Sequence, residues 1–248
     1  FTEYSYYTGE KEARLAVNLN LGEETEAAYL QVDIISGQGE KVVKIKHSVD
    51  GKQQCAFVAL PLEKCQLDGS PYDVKVTAYD SANVQLASAE TMLVILPSAK
   101  TEVKTNRLNQ GIYVNGEPFM PYATFQGILR KREDIAAQIA FFKSSGMNTV
   151  FFPGYWTGRD EVNVCLEEAA RQNMRVLIFY DMSPRRKHDV REIFSWLKGK
   201  EAIIGVVVAD EIGNDAGWVY DAVHSGKEVN PYILTFINHN VLGLKFFE

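Results

Sequence analysis

Aromatic, amide and carboxylate side chains follow the apolar runs in the second half of the chain. At these positions the sequence carries Phe125, Gln126, Pro153, Tyr155, Trp156, Tyr180, Asp181, Asp210, Glu211, Asn238 and His239. Aromatic rings stack on the apolar faces of pyranose rings, while carboxylates and amides hydrogen-bond sugar hydroxyls. The set predicts a carbohydrate-binding cleft, with these candidate substrate-binding residues: Phe125, Tyr155, Trp156, Tyr180, Asp181 and Asp210.

Two of the carboxylates follow neighbouring predicted strands. Hydrolysis of a glycosidic bond uses two carboxyl groups, about 5 to 5.5 Å apart for retention or about 6.5 to 9.5 Å apart for inversion. Parallel strands lie about 4.8 Å apart, so Asp181 and Glu211 can approach either separation. Asp210 and Glu211 point to opposite faces of an extended strand, so one of them faces the cleft. A structural role competes with this interpretation, because carboxylates after strands often cap the next helix.

The elements that position these residues alternate between strands and helices. Apolar runs predict five strands: PFMPYATFQ, MNTVFFPG, MRVLIFYDM, AIIGVVVADE and PYILTFIN. Amphipathic patterns between them predict four helices: REDIAAQIAFFKSSG, DEVNVCLEEAARQN, VREIFSWLKGK and WVYDAVHSGKE. Repeated βα units with continuous apolar strands indicate a parallel sheet covered by helices. Functional residues of such folds gather at the carboxyl ends of the strands.

The first half of the chain has a different periodicity. Six runs alternate between apolar and polar residues: ARLAVNLNL, AAYLQVDII, KVVKIKHSV, CAFVALPL, YDVKVTAYD and TMLVILP. Turn residues separate them, and no convincing helix intervenes. We therefore predict an immunoglobulin-like β-sandwich over residues 1–100, a polar connector, and an α/β domain over residues 106–248.

Composition argues against two classes of function. The chain has 26 Lys and Arg residues against 32 Asp and Glu residues, a formal charge of −6, and 46% hydrophobic residues. This acidic balance argues against nucleic-acid binding, and the run PRRK is typical of a solvated loop. No apolar run reaches the roughly 18 to 20 residues that span a bilayer, so we expect no membrane span.

Motifs for cofactors and metals are absent from the sequence. It contains no GxxxxGK[ST] phosphate loop, no GxGxxG between a strand and a helix, and no GxSxG nucleophile elbow. The four histidines are scattered, and the three cysteines lack the spacing of a zinc or haem site. We therefore expect neither a cofactor nor a metal.

The cysteines leave two alternatives open. Cys55 and Cys65 flank a predicted strand, and their spacing fits either a disulfide or two buried thiols. Cys165 lies in a helical pattern and is expected to pack in the core.

Four segments together resemble retaining glycoside hydrolases of the clan that includes β-galactosidase and β-glucuronidase. They are NRLNQGIYVNGEPFMPYATFQG, DIAAQIAFFKSSGMNTVFF, CLEEAARQNMRVLIFYD and KGKEAIIGVVVADEI. The resemblance implies an immunoglobulin-like sandwich followed by a (β/α)8 TIM barrel, and it implies that Glu211 is the catalytic general acid/base. Family habit and the start at Phe1, which suggests a processed N-terminus, predict an extracellular or lysosomal location.

The sequence departs from the family pattern in three ways. Asp210 stands where many members carry Asn, and Phe151 and Phe152 stand where an Arg is usual. Residues 106–248 are also fewer than the about 250 of a complete barrel, and the pattern ends after the fifth strand. The family's nucleophile is a Glu on the seventh strand, so the resemblance places it outside this sequence.

These departures leave two functional hypotheses. In the first, the chain hydrolyses β-linked glycosides, with the nucleophile supplied by another chain. In the second, it is a catalytically inactive, hydrolase-derived module that binds carbohydrate or has a structural role. Both predict a companion polypeptide or a homo-oligomer that covers the open edges of a partial barrel.

Overall fold

The structure is a computed structural model that describes residues 1–22, 25–50, 53–124, 132–186, 188–210 and 217–237. Its chain forms two compact units. One comprises residues 1–98 and 105–111, and the other comprises residues 99–104 and 112–248.

Six antiparallel strands build the first unit. The alternating runs predicted the first five, and the run TMLVILP covers only the end of the sixth. Their bounds are β1 (Glu12–Asn18), β2 (Tyr29–Ile35), β3 (Lys41–Ser48), β4 (Cys55–Pro61), β5 (Pro71–Tyr79) and β6 (Gln85–Val94). They form a four-stranded sheet in the order β3-β2-β5-β6 and a two-stranded sheet that pairs β1 with β4. Inward-facing residues of both sheets, such as Leu15, Leu30, Val58 and Val74, share one buried cluster. The arrangement is sandwich-like, as predicted.

Three short strands lie in residues 103–119, where the chain passes from one unit to the other. They are β7 (Val103–Asn106), β8 (Gly111–Val114) and β9 (Glu117–Phe119), and they form one sheet in chain order. The run PFMPYATFQ was predicted to be a single strand, but of its described residues only Pro118 and Phe119 lie in a strand. Met120 to Thr124 form neither strand nor helix, and the side chain of Asn148 hydrogen-bonds the backbone of Met120 and Tyr122.

A parallel sheet organises the second unit. Its strands are β10 (Thr149–Phe152), β11 (Arg175–Phe179), β12 (Ile203–Ala209) and β13 (Leu234–Ile237), paired in chain order. Its helices are α1 (Arg132–Ser144), α2 (Arg159–Arg171), α3 (Val190–Leu197) and α4 (Gly217–Val229). These four strands and four helices match the predicted βα alternation.

All four helices pack on one face of this sheet. Ile135, Phe194 and Ala222 from the helices share one buried cluster with alternate strand residues such as Val150 and Ile178. The intervening strand residues face the other way, where Leu177 and Leu234 pack with Val114 in a smaller cluster. These helices therefore cover one face of the sheet and leave the other face without helices, among the described residues.

The three cysteines are not paired with one another. Cys55, Cys65 and Cys165 are free thiols, and the last two are buried. Across the residues that the structure describes, no helix is both long and apolar enough to cross a membrane.

Candidate functional site

A pocket of about 290 Å³ lies on the sheet face opposite the helices. It is lined by Phe151, Leu177, Phe179, Val207, Asp210, Phe236 and Ile237. The lining residues come from all four parallel strands and from the position after β12. The floor is therefore apolar and aromatic, and the carboxylate of Asp210 is its charged group.

The aromatic floor depends on close packing between strands. The rings of Phe151 and Phe179 have centroids 6.1 Å apart and are tilted by 43°. On the neighbouring strand, a Cβ at Gly205 would lie 2.5 Å from Cε2 of Phe236. Only glycine leaves room for this ring, so Gly205 lets Phe236 lie against β12.

An irregularity of β12 precedes Asp210. The pairing register between β12 and β13 shifts between Val207 and Ala209. Asp210 follows directly, is exposed, and lines the pocket. Asp210 therefore lies beside the aromatic floor, at the carboxyl end of the strand.

A short 3-10 turn, Gly154–Trp156, follows β10. A Cβ at Gly154 would lie 2.6 Å from the ring of Tyr180 and 2.7 Å from Ile178, so glycine is required for this close approach. The turn leaves the Trp156 side chain 57% exposed. The Tyr155 side chain lies outside the described parts.

Tyr180 lies on the helix side of the sheet rather than in the pocket. It is buried within the cluster that joins the helices to the strands, and its ring contacts His188 edge-on with centroids 5.7 Å apart. Burial raises the pKa of its hydroxyl. The residue before it, Phe179, occupies the pocket face instead.

Both carboxylate oxygens of Asp181 have partners within its own loop. Oδ1 accepts a hydrogen bond from the backbone N–H of Ser183 at 3.0 Å, and Oδ2 accepts one from Nε of Arg186 at 3.2 Å. Burial acts to raise the pKa of this carboxyl, but the hydrogen bonds from Ser183 and Arg186 outweigh it, so the pKa is lowered. Asp181 is thus an ionised anchor for the loop after β11.

The structure thus brings Asp210 into the pocket lining and separates Tyr180 from it. Glu211 and Phe125 lie outside the described residues, as do Gln126, Asn238 and His239. The pocket phenylalanines Phe151, Phe179 and Phe236 were not predicted as site residues, because a continuous apolar strand is expected to be buried on both faces. Their recurrence near the ends of three parallel strands was the available signal.

Among the described residues, no group of three His, Cys, Asp or Glu side chains could hold a metal ion. The pocket lining also contains no Lys, Arg or His in this part of the chain. The chemistry that the described site offers is therefore apolar and aromatic contact together with a carboxylate acceptor.

Similarity to known proteins is found among solved structures. No family model matches the sequence, and no curated protein matches it. The chain is similar to an FMN-binding β-glucuronidase from Facaelibacterium prausnitzii L2-6, with 16% identity, a TM-score of 0.42, and coverage of 96% of this chain and 39% of that one.

Two further similar structures are also glycoside hydrolases. β-Glucuronidase 3 of Bacteroides uniformis has 13% identity and a TM-score of 0.44, with coverage of 95% of this chain and 32% of that one. The exo-chitosanase CsxA of Amycolatopsis orientalis has 14% identity and a TM-score of 0.42, with coverage of 97% and 31%. The present chain thus spans between 31% and 39% of the length of these three structures.

Proposed function

We propose that the carboxyl end of the parallel sheet carries a site of glycoside-hydrolase type that takes β-linked glycans. The observation that carries this proposal is the pocket with an aromatic floor and the Asp210 carboxylate beside it. Aromatic rings and a few convergent polar groups are the usual means of binding a sugar ring. Trp156, exposed on the turn after β10, supplies a second stacking surface.

Glu211 is the proposed general acid/base, because it follows Asp210 in the sequence and because the sequence resemblance assigns it that role. A general acid donates its proton to the glycosidic oxygen as the bond to the leaving group breaks. Asp210 is proposed to accept hydrogen bonds from sugar hydroxyls. Asp181 is proposed to support the site by ordering its loop, since both of its oxygens already accept hydrogen bonds.

A retaining mechanism needs a nucleophile beyond Asp210 and Glu211. The proposal therefore includes a partial (β/α) barrel that a companion polypeptide or a second copy completes, with the nucleophile supplied from there. The mass of the isolated protein under native and denaturing conditions tests this part. A companion of about 100 residues or more supports it, because a complete barrel takes about 250 residues.

A second candidate function is carbohydrate binding without hydrolysis. The observation that favours it is that Asp210 is the one carboxylate lining the pocket among the described residues. Hydrolysis by two carboxylates would need a further one within about 5 to 10 Å. A binding module needs only the aromatic floor, Trp156 and the carboxylate of Asp210.

Glu211→Gln separates the two candidates. The substitution removes the titratable proton and preserves the shape of the side chain, so it abolishes hydrolysis in an enzyme and leaves sugar binding largely intact. Release of 4-nitrophenol from aryl β-glucosides, galactosides, glucuronides and glucosaminides measures turnover, and calorimetric titration with matching oligosaccharides measures binding.

Asp221→Asn, which changes an exposed carboxylate on α4, is the matched control. The enzyme hypothesis is supported if the wild type and Asp221→Asn turn over substrate and Glu211→Gln does not. Binding without turnover supports the module, and absence of both contradicts the proposed function.

A further inference from the structure

The four-stranded sheet of the first unit has two edges with opposite character. At one edge, β3 carries Lys41, Lys44 and Lys46, all exposed. At the other edge, β6 is ten residues long and carries a single charged residue, Glu90. Charged side chains, especially lysines, discourage strand pairing at a sheet edge. The β3 edge is therefore protected by charge, and the β6 edge is not.

The β6 edge is open along most of its length. Within the described part of the chain, β6 pairs only with β5, and Val94 at its end accepts a hydrogen bond from the N–H of Tyr7. Ala87, Ser88, Ala89 and Glu90 are all exposed. An unpaired edge of this length presents a row of backbone donors and acceptors to another strand.

The side chains along β6 leave room for an approaching strand. A groove of about 250 Å³ lies beside it, lined by Ala89, Glu90 and Thr91 together with Val76 of β5 and with residues of β1. On the outer face, Glu90 lies 3.9 Å from Lys75. The edge thus combines small side chains, a cavity and one charge that already has a partner.

We propose that β6 pairs with β6 of a second copy of this chain, antiparallel and related by a two-fold axis at Ala89. The two sheets then continue into one another, and the same surface of each copy forms the interface. This surface is separate from the pocket of the second unit. The interface does not depend on any glycan-related activity.

Charge excludes the neighbouring register, and a hydrogen bond favours the one with its axis at Ala89. A two-fold axis at Glu90 would oppose two like carboxylates, which destabilises a cross-strand pair. An axis at Ala89 instead places Glu90 opposite Ser88 of the other copy, twice, where the hydroxyl can donate to the carboxylate.

The register predicts opposite effects for two substitutions of Ser88. In Ser88→Glu, two new carboxylates each oppose Glu90 of the other copy, so the dissociation constant of the dimer rises at least about tenfold. In Ser88→Lys, two ammonium groups oppose Glu90, so the dissociation constant stays the same or falls. Ser48→Glu on the β3 edge is the matched control and leaves association unchanged, because Ser48 is also exposed but lies on the other edge.

Sedimentation velocity of the full chain up to about 100 μM measures association, and circular dichroism checks that each variant is folded. The proposal predicts self-association that Ser88→Glu weakens and that Ser88→Lys and Ser48→Glu do not. It is overturned if the wild type does not self-associate, if Ser88→Glu and Ser88→Lys act alike, or if Ser48→Glu weakens association. Glycan binding by the wild type is measured in parallel, so failure of this proposal and failure of the proposed function are distinguished.

Discussion

Gly205 lies against the ring of Phe236, and the two residues are on neighbouring strands of the parallel sheet. A Cβ at position 205 would lie 2.5 Å from Cε2 and 2.9 Å from Cδ2 of this ring, and 2.8 Å from the backbone oxygen of Leu234. The contact to backbone means that moving the ring alone does not relieve the clash. The floor of the pocket therefore depends on the absence of a side chain at one position.

Gly205→Ala is expected to destabilise the protein and distort the pocket. Overpacking of a well-packed site typically costs about 1–3 kcal/mol, and here the added methyl meets both a ring and a backbone oxygen. Urea unfolding of the variant and the wild type measures the loss. Gly217→Ala is the matched control, because a Cβ there meets nothing within 4 Å. Equal stability of Gly205→Ala and the wild type would show that the ring of Phe236 does not lie against position 205.

Asp181→Asn is expected to lower stability in a pH-dependent manner. The pKa of Asp181 is lowered in the folded protein, so its contribution is present above the unfolded-state value of about 3.9 and is lost as the pH falls through the folded value. The amide loses the attraction to Arg186, at a cost of about 1 kcal/mol near neutral pH. Urea unfolding at about pH 7 and about pH 3 measures the difference, which should shrink at the lower pH. If the difference in unfolding free energy were the same at both pH values, the lowered pKa of Asp181 in the folded protein would be contradicted.

Lys227→Met tests a cation near the end of α4. Its ammonium donates to the backbone oxygens of Pro231 and Ile233, and burial lowers its pKa to about 8. An unfolded-state lysine keeps its proton up to about pH 10.4, so between these values the unfolded chain binds more protons and the wild type gains stability as the pH rises.

The free energy of unfolding of the wild type, relative to Lys227→Met, should therefore increase by about 1 kcal/mol or more between about pH 8 and about pH 10. Denaturant titrations of both proteins over this range measure it. Subtraction of the two curves removes the shared contributions of tyrosines and cysteines. Parallel curves would show that Lys227 titrates as it does in the unfolded chain.

The three thiols are expected to react at different rates. Burial raises the pKa of Cys65 and of Cys165, so their reactive thiolates are scarce, whereas Cys55 is half-buried. Labelling of the native protein with iodoacetamide, followed by peptide mass spectrometry, should modify Cys55 first. Labelling after denaturation is the control. Modification of Cys165 at the rate of Cys55 in the native protein would contradict its burial in α2.

Strands and helices with a clear hydrophobic period were predictable. The side of the sheet on which each residue of an apolar strand lies was not. Periodicity located the four parallel strands and the four helices. At the end of β11 it could not decide between Phe179 and Tyr180, because residues 176–180 are all apolar or aromatic. The helices decide this, since they cover Tyr180 and leave Phe179 on the pocket face.

Two other features depended on information beyond local pattern. The start of β6 reads QLASAE and was not predicted as a strand, and it is extended because it pairs with β5. The partners of Asp181 come from its own loop and tie a predicted ligand-binding carboxylate to Ser183 and Arg186. The position of Asp210 beside the pocket was predictable, because residues after parallel strands gather at one edge of the sheet.

The central claim is that the face carrying Phe151, Phe179 and Phe236 binds a β-linked glycan with help from Asp210. Calorimetric titration of β-linked oligosaccharides into the wild type, Asp210→Asn and the Asp221→Asn control tests it most directly. We expect Asp210→Asn to weaken binding about tenfold, because a hydrogen bond to a charged group contributes about 1.5–3 kcal/mol. Binding that is equal in all three proteins, or absent from the wild type, would contradict the account.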